Sequence, residues 1–117
     1  MNAPALQRWF DRADELAKAG LYFDAHEELE APWMTARGDE KVVLQGLIQL
    51  AAGLHRLKEE PAKTAGAYYL FERGLQKLER AHALIEPKSL AALHRAIGEV
   101  RGADAAPKSF AFGLIAA

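Results

Sequence analysis

His26, Glu30 and Trp33 stand at positions i, i+4 and i+7 of the segment His26-Glu27-Glu28-Leu29-Glu30-Ala31-Pro32-Trp33. On an α-helix that spacing places the three Cβ atoms within an arc of about 60°, along one line of the surface. A neutral imidazole and a carboxylate one turn apart can bind the same divalent cation, or can act as a general base and the group that orients it. Two ligands are too few for a catalytic zinc or iron centre. A metal reading therefore requires a third, for which Glu27, Gln49 and His55 are the eligible polar residues. The competing reading is a hydrogen bond along the helix that orients Trp33, a pair stabilising by roughly 0.2–0.5 kcal/mol.

Gln45 and Gln49, one turn apart with Arg56 on the same stripe, form a second constellation on an otherwise apolar segment. Buried amides need partners, and His26 or Glu30 across a helix interface would supply them as a polar network. Otherwise the stripe marks the solvent edge of its helix. His55 falls near a helix C-terminus, where the dipole favours a protonated ring. His82 and His94 read as surface residues, and of Tyr68 and Tyr69 one hydroxyl should sit near an interface and the other in water. No Gly-rich phosphate loop, nucleophile elbow or His-Glu-x-x-His sequence is present, so a nucleotide enzyme, an α/β-hydrolase and a zincin find no support.

The composition narrows the chemistry further. The absence of cysteine excludes disulfides, thiolate zinc sites and a cysteine nucleophile, so any divalent metal must use His, Asp and Glu. Fifteen Lys and Arg against sixteen Asp and Glu leave a formal net charge of -1, which provides no basic field for nucleic acid or an acidic membrane. At 117 residues and 50% hydrophobic content, the chain is long and apolar enough to bury a single core unaided. Its first eight residues lack a basic segment followed by an apolar one, so no secretory signal is expected and the location reads as cytoplasmic. The longest apolar stretch, Leu44 to Leu57, is interrupted by Gln45, Gln49, His55 and Arg56 and is too short to span a bilayer of about 30 Å.

The elements that must position these residues are helices. Ala, Leu, Glu, Lys and Arg dominate, and no segment alternates apolar and polar residues over a strand length. The expected fold is all-α, a compact bundle of about five helices with antiparallel neighbours. The first helix runs from about Pro4 to Ala19 and stops at Gly20. A second starts near Leu21 or Tyr22 and carries the His26 line. Pro32 should kink or end it, leaving the place of Trp33 on the line dependent on the outcome. A third, capped by Asp39 and running from about Glu40 to Lys58, is apolar nearly all round and should be central. The fourth follows Pro61 and reaches about Leu84, and Glu86-Pro87 ends it. Ser89 caps a fifth, with Leu90, Leu93, Ile97 and Val100 inward and Gly102 as its stop. The bundle domain thus spans 1–102. Residues 103–117 form an apolar tail that should dock on the bundle or on a second subunit, since Phe110, Phe112, Leu114 and Ile115 in water would invite association.

The segment from Gly20 to Trp33, followed by Leu44 to His55 and by Gly66-Ala67, resembles the small bacterial and archaeal helical proteins grouped as the domain of unknown function DUF309. The resemblance covers about residues 5 to 80. Its signature, a histidine, three residues, a glutamate, two residues and an aromatic, is met by His26, Glu30 and Trp33. The resemblance implies a small helical bundle and a metal-binding role for the signature His and Glu. Three functions follow from the residues and the resemblance together. His26 and Glu30 hold a divalent ion or a small ligand, with hydrolysis by an activated water. Alternatively, the protein is a helical module for a peptide or small ligand, since Gly20 to His26 is also similar to the start of a tetratricopeptide-type helix pair, with Trp33 and Tyr68 lining a groove; the 34-residue repeat of that family is absent. In the third, the polar cluster is structural and fixes helix register.

Overall fold

The computed structural model describes residues 3–117, an all-α fold in which five helices follow one another: α1 (Ala3–Lys18), α2 (Tyr22–Thr35), α3 (Gly38–Glu59), α4 (Thr64–Arg80) and α5 (Pro87–Ala103), with a short 3₁₀ turn at His82–Leu84. Met1 and Asn2, at the head of the segment read as lacking a signal, lie outside the described residues. Among the described residues no helix is long and apolar enough to cross a membrane.

The apolar circumference of α3 makes it the axis of the molecule. Val43, Leu44, Leu47, Leu50, Ala51, Leu54 and Leu57 are all buried, with α2 packed on one flank and α4 on the other. Both neighbours run antiparallel to it. Lys41 lies over Trp33 at one end of the α2–α3 pair, while His55 meets Phe23 at the other. On the α4 side the backbones come into contact. A Cβ on Gly46 would fall 2.9 Å from the carbonyl oxygen of Gly74, and one on Gly74 would fall 2.8 Å from that of Gly46. Glycine at both positions permits this approach. The face of α1 formed by Leu6, Phe10, Ala13 and Ala17 is buried, as is that of α5 formed by Leu90, Leu93, Ile97 and Val100.

Helix ends differ from the sequence expectation in four places. Pro32 lies inside α2, which continues through Trp33 to Thr35. The ring is buried, and its carbonyl accepts the Ala36 N–H at 3.0 Å and the Thr35 hydroxyl at 3.3 Å, so packing and the following turn outweigh the single lost backbone bond. Asp39 lies within the first turn of α3, which starts at Gly38. Ser89 is not a cap: with Pro87 in the first turn of α5, Glu86 takes the N-cap position and its carboxylate accepts the N–H groups of Lys88 and Ser89, each at 2.8 Å. The fourth helix also stops earlier than expected, at Arg80, before the 3₁₀ turn.

Beyond α5, where Asp104 adopts a left-handed conformation, the tail crosses back over the start of the chain. The Asp14 carboxylate accepts the N–H groups of Phe112, at 2.7 Å, and Gly113, and the Phe110 N–H donates to Ala17 O at 3.1 Å. The Gln7 side chain accepts from Ala116 N at 2.7 Å and donates to Leu114 O at 3.3 Å. Antiparallel pairing of Ile85 with Ala116 anchors the far end. Phe110, Phe112 and Leu114 are thereby buried within the same chain, whereas Ile115 is exposed.

Candidate functional site

Among the described residues five large apolar side chains are exposed, and three of them, Leu21, Phe23 and Met34, belong to α2 or its entry. The helix carries Asp24, Glu27, Glu28 and Glu30 and no lysine or arginine. Its periodicity sorts these residues. Tyr22, Ala25, Leu29 and Pro32 turn inward, and Phe23, Glu27, Glu30 and Met34 form a stripe on the exposed side. Glu28 lies on the other flank and receives Arg12 Nε of α1 at 3.1 Å. Half-buried His26 and Trp33 occupy the edge between stripe and core.

His26 Nε2 approaches Glu30 Oε1 at 3.4 Å, with side-chain exposures of 25% and 50%. That is longer than a well-formed N–H···O bond, and a half-exposed pair of this kind contributes little stability. The Phe23 ring is stacked on the His26 imidazole, with centroids 5.8 Å apart, and also meets His55 of α3 at 5.2 Å. At the other end of the stripe, Lys41 Nζ lies 4.5 Å from the centroid of the Trp33 ring. The continuous helix therefore keeps all three signature residues on one line. His26 Nδ1 and Trp33 Nε1 are buried without a hydrogen-bond partner. Leaving such a group unpaired costs about 1–3 kcal/mol.

The structure separates other residues that the sequence grouped with this line. Gln49 belongs to the α4 flank, where its Oε1 accepts from Lys77 Nζ at 3.0 Å. Arg56, on the same stripe, brings its guanidinium beside Gly66 of α4. Gln45 is half-buried, and Glu27 is exposed without an ion pair among the described residues. The anticipated network from Gln49 to His26 or Glu30 is therefore replaced by an α3–α4 contact. Tyr68 also lies elsewhere. Its hydroxyl donates to the Asp104 carboxylate and its ring lies under Arg101, 4.7 Å from the centroid, so it shares no groove with Trp33. Tyr69 is exposed, as is His82, while His94 Nε2 contacts Glu79 at 2.8 Å.

A metal centre does not fit this arrangement. His55 is brought to the α2 side but packs on Phe23, and among the described residues no three His, Asp or Glu side chains gather so as to hold an ion. Among the described residues, five surface depressions of about 190 to 500 Å³ are lined by residues other than His26, Glu30 and Trp33, one of them at Thr35 beside the end of α2. What the flank presents is an apolar and acidic surface: an aromatic ring at one end, a methionine at the other and carboxylates between. The acidic content of α2 and the exposure of Phe23 and Met34 were missed in the sequence, although the helical period places both residues on the Glu27–Glu30 stripe.

Comparison with known families gives a match to the Domain of unknown function (DUF309) over residues 10–68, which include α2, α3 and the start of α4. No curated protein and no solved structure matches the chain.

Proposed function

The chain belongs to the DUF309 family, and from that premise we propose that this small helical protein is a binding module whose α2–α3 flank docks a basic, amphipathic peptide segment. The observation that carries the reading is Phe23: an exposed phenyl ring held against His26 and His55, on the same stripe as the carboxylates of Glu27 and Glu30. An apolar anchor beside exposed carboxylates suits a segment that alternates aliphatic and Lys or Arg side chains. Small-molecule sites are concave, whereas Phe23, Glu27 and Glu30 line none of the depressions described above, which suits a peptide better than a metabolite.

The test is an amide chemical-shift titration with a short Lys/Leu amphipathic peptide and its Glu/Leu counterpart. Shifts confined to α2 and α3 with the basic peptide alone, and lost in Phe23→Ala, are the expected result. Equal response to both peptides, or perturbation spread evenly over the molecule, would refute the reading.

A further inference from the structure

On the opposite side of α3, the outer face of α4 carries Arg73, Lys77 and Arg80 at helical spacing. With Gln76 they line a depression of about 190 Å³. Like charges one turn apart on a helix repel by a few tenths of a kcal/mol, about 0.2–0.5, and helices ordinarily relieve this with a carboxylate at i+4 or on a neighbour. None does so here. Among the described residues Arg73, Lys77 and Arg80 make no ion pair. The acidic side chains of α4 lie toward α5, where Glu79 contacts His94 and Glu72 borders a second depression with it, and Gln76 stands between the two depressions and lines both. The α3 residue that reaches the cluster is neutral. Gln49 Oε1 holds Lys77 Nζ at 3.0 Å and leaves its amide Nε2 as a further donor.

The helix dipole accounts for Lys77 and Arg80, which lie in the last turn. It does not account for Arg73, nor for Lys77 being turned sideways onto Gln49. Burial lowers the pKa of Lys77, and Arg73 and Arg80 lower it further, the mark of cations held together without a counter-charge.

We propose that Arg73, Lys77 and Arg80, with the amides of Gln49 and Gln76, form a binding site for a phosphoryl group, either free phosphate or a phosphomonoester. Two guanidiniums supply planar, paired N–H donors and the ammonium a point charge, the donor set that recognises a tetrahedral dianion. The site is independent of the α2 flank, so neither proposal stands or falls with the other.

The experiment is calorimetric titration of the full chain with inorganic phosphate, and separately with glycerol 1-phosphate, in buffered sodium chloride near physiological ionic strength. Amide shifts locate the response. Saturable binding with shifts at Arg73 to Ala81 and at Gln49 is expected, weakened at least tenfold in Arg73→Gln/Arg80→Gln, whose exposed side chains leave the fold intact by circular dichroism. Tighter binding of the ester identifies a phosphomonoester as the ligand, and tighter binding of the free ion identifies phosphate. Absence of saturation with both ligands, unchanged affinity in the double variant, or equal binding of sodium acetate would overturn the proposal.

Discussion

Glu30→Gln separates a recognition role from a structural one. The carboxylate is half exposed and 3.4 Å from His26 Nε2, so its loss should change unfolding free energy by less than about 0.5 kcal/mol in urea denaturation. The same variant should weaken a basic peptide at least threefold. A stability loss of several kcal/mol would instead make the pair a strut of the bundle. Asp14 offers a second test, in pH. Burial raises its pKa against the opposing pull of the Phe112 and Gly113 N–H groups. The folded state therefore binds that proton more tightly than the unfolded one, and the stability it confers is present at low pH and lost as pH rises through the raised value. Measured by denaturation at a series of pH values, the stability of the native chain relative to Asp14→Asn should fall from acid toward neutral pH; a rise would invert the assignment. The signature line itself was legible in the sequence, because a helical period fixes which residues share a face. The partner of Gln49 was not. Whether an amide on α3 meets α2 or α4 depends on how the helix is rotated in the bundle, which the close contacts of Gly46 with Gly74 and of Gly53 with Phe71 set.

At the scale of elements, the Gly46–Gly74 contact brings the backbones of α3 and α4 together. Gly46→Ala should destabilise by about 1–3 kcal/mol, because the added methyl meets the Gly74 carbonyl and backbone cannot move aside as a side chain does. Gly74→Ala should cost a similar amount, and the double variant less than the sum, since both relieve the same clash by parting α3 from α4. Equilibrium denaturation of the three variants measures this; strict additivity would mean that the two methyls act on different contacts. The helices α1, α3 and α5 were readable from apolar spacing and from start and stop signals such as Pro4, Gly20 and Gly102, with ends within a few residues. Of the two outcomes that Pro32 allows, a kink or an end, the sequence could not exclude the end, because Pro32 carries a local penalty that sequence makes visible, while the burial of its ring and the Ala36 and Thr35 bonds to its carbonyl are tertiary facts. The cap of α5 moved for a related reason: Pro87 fixes the first turn and hands the N-cap to the residue before it, so Ser89 cannot hold it.

For the molecule as a whole, the tail decides stability. Deleting residues 105–117 exposes the surfaces that Phe110, Phe112 and Leu114 cover, each burial contributing about 1.5–3 kcal/mol. The loss, on the order of 5 kcal/mol, rivals the whole stability of a domain this size. The truncated chain should therefore lose its cooperative thermal transition and bind a hydrophobic dye, and retention of the native melting temperature would contradict the ledger of contacts. The apolar character of this segment was evident in the sequence; the hydrogen bonds that guide it, from Asp14, Gln7 and Ser89, join residues too distant in the chain for any local pattern to reveal.

Those contacts also impose an order on biosynthesis. Asp14 and Ala17 emerge from a ribosome long before Phe110 and Phe112, the residues they hold, and Gln7 waits still longer for Ala116. During that interval the α1 surface that the tail covers stands open, so closing it is a late step of synthesis, set by sequence separation.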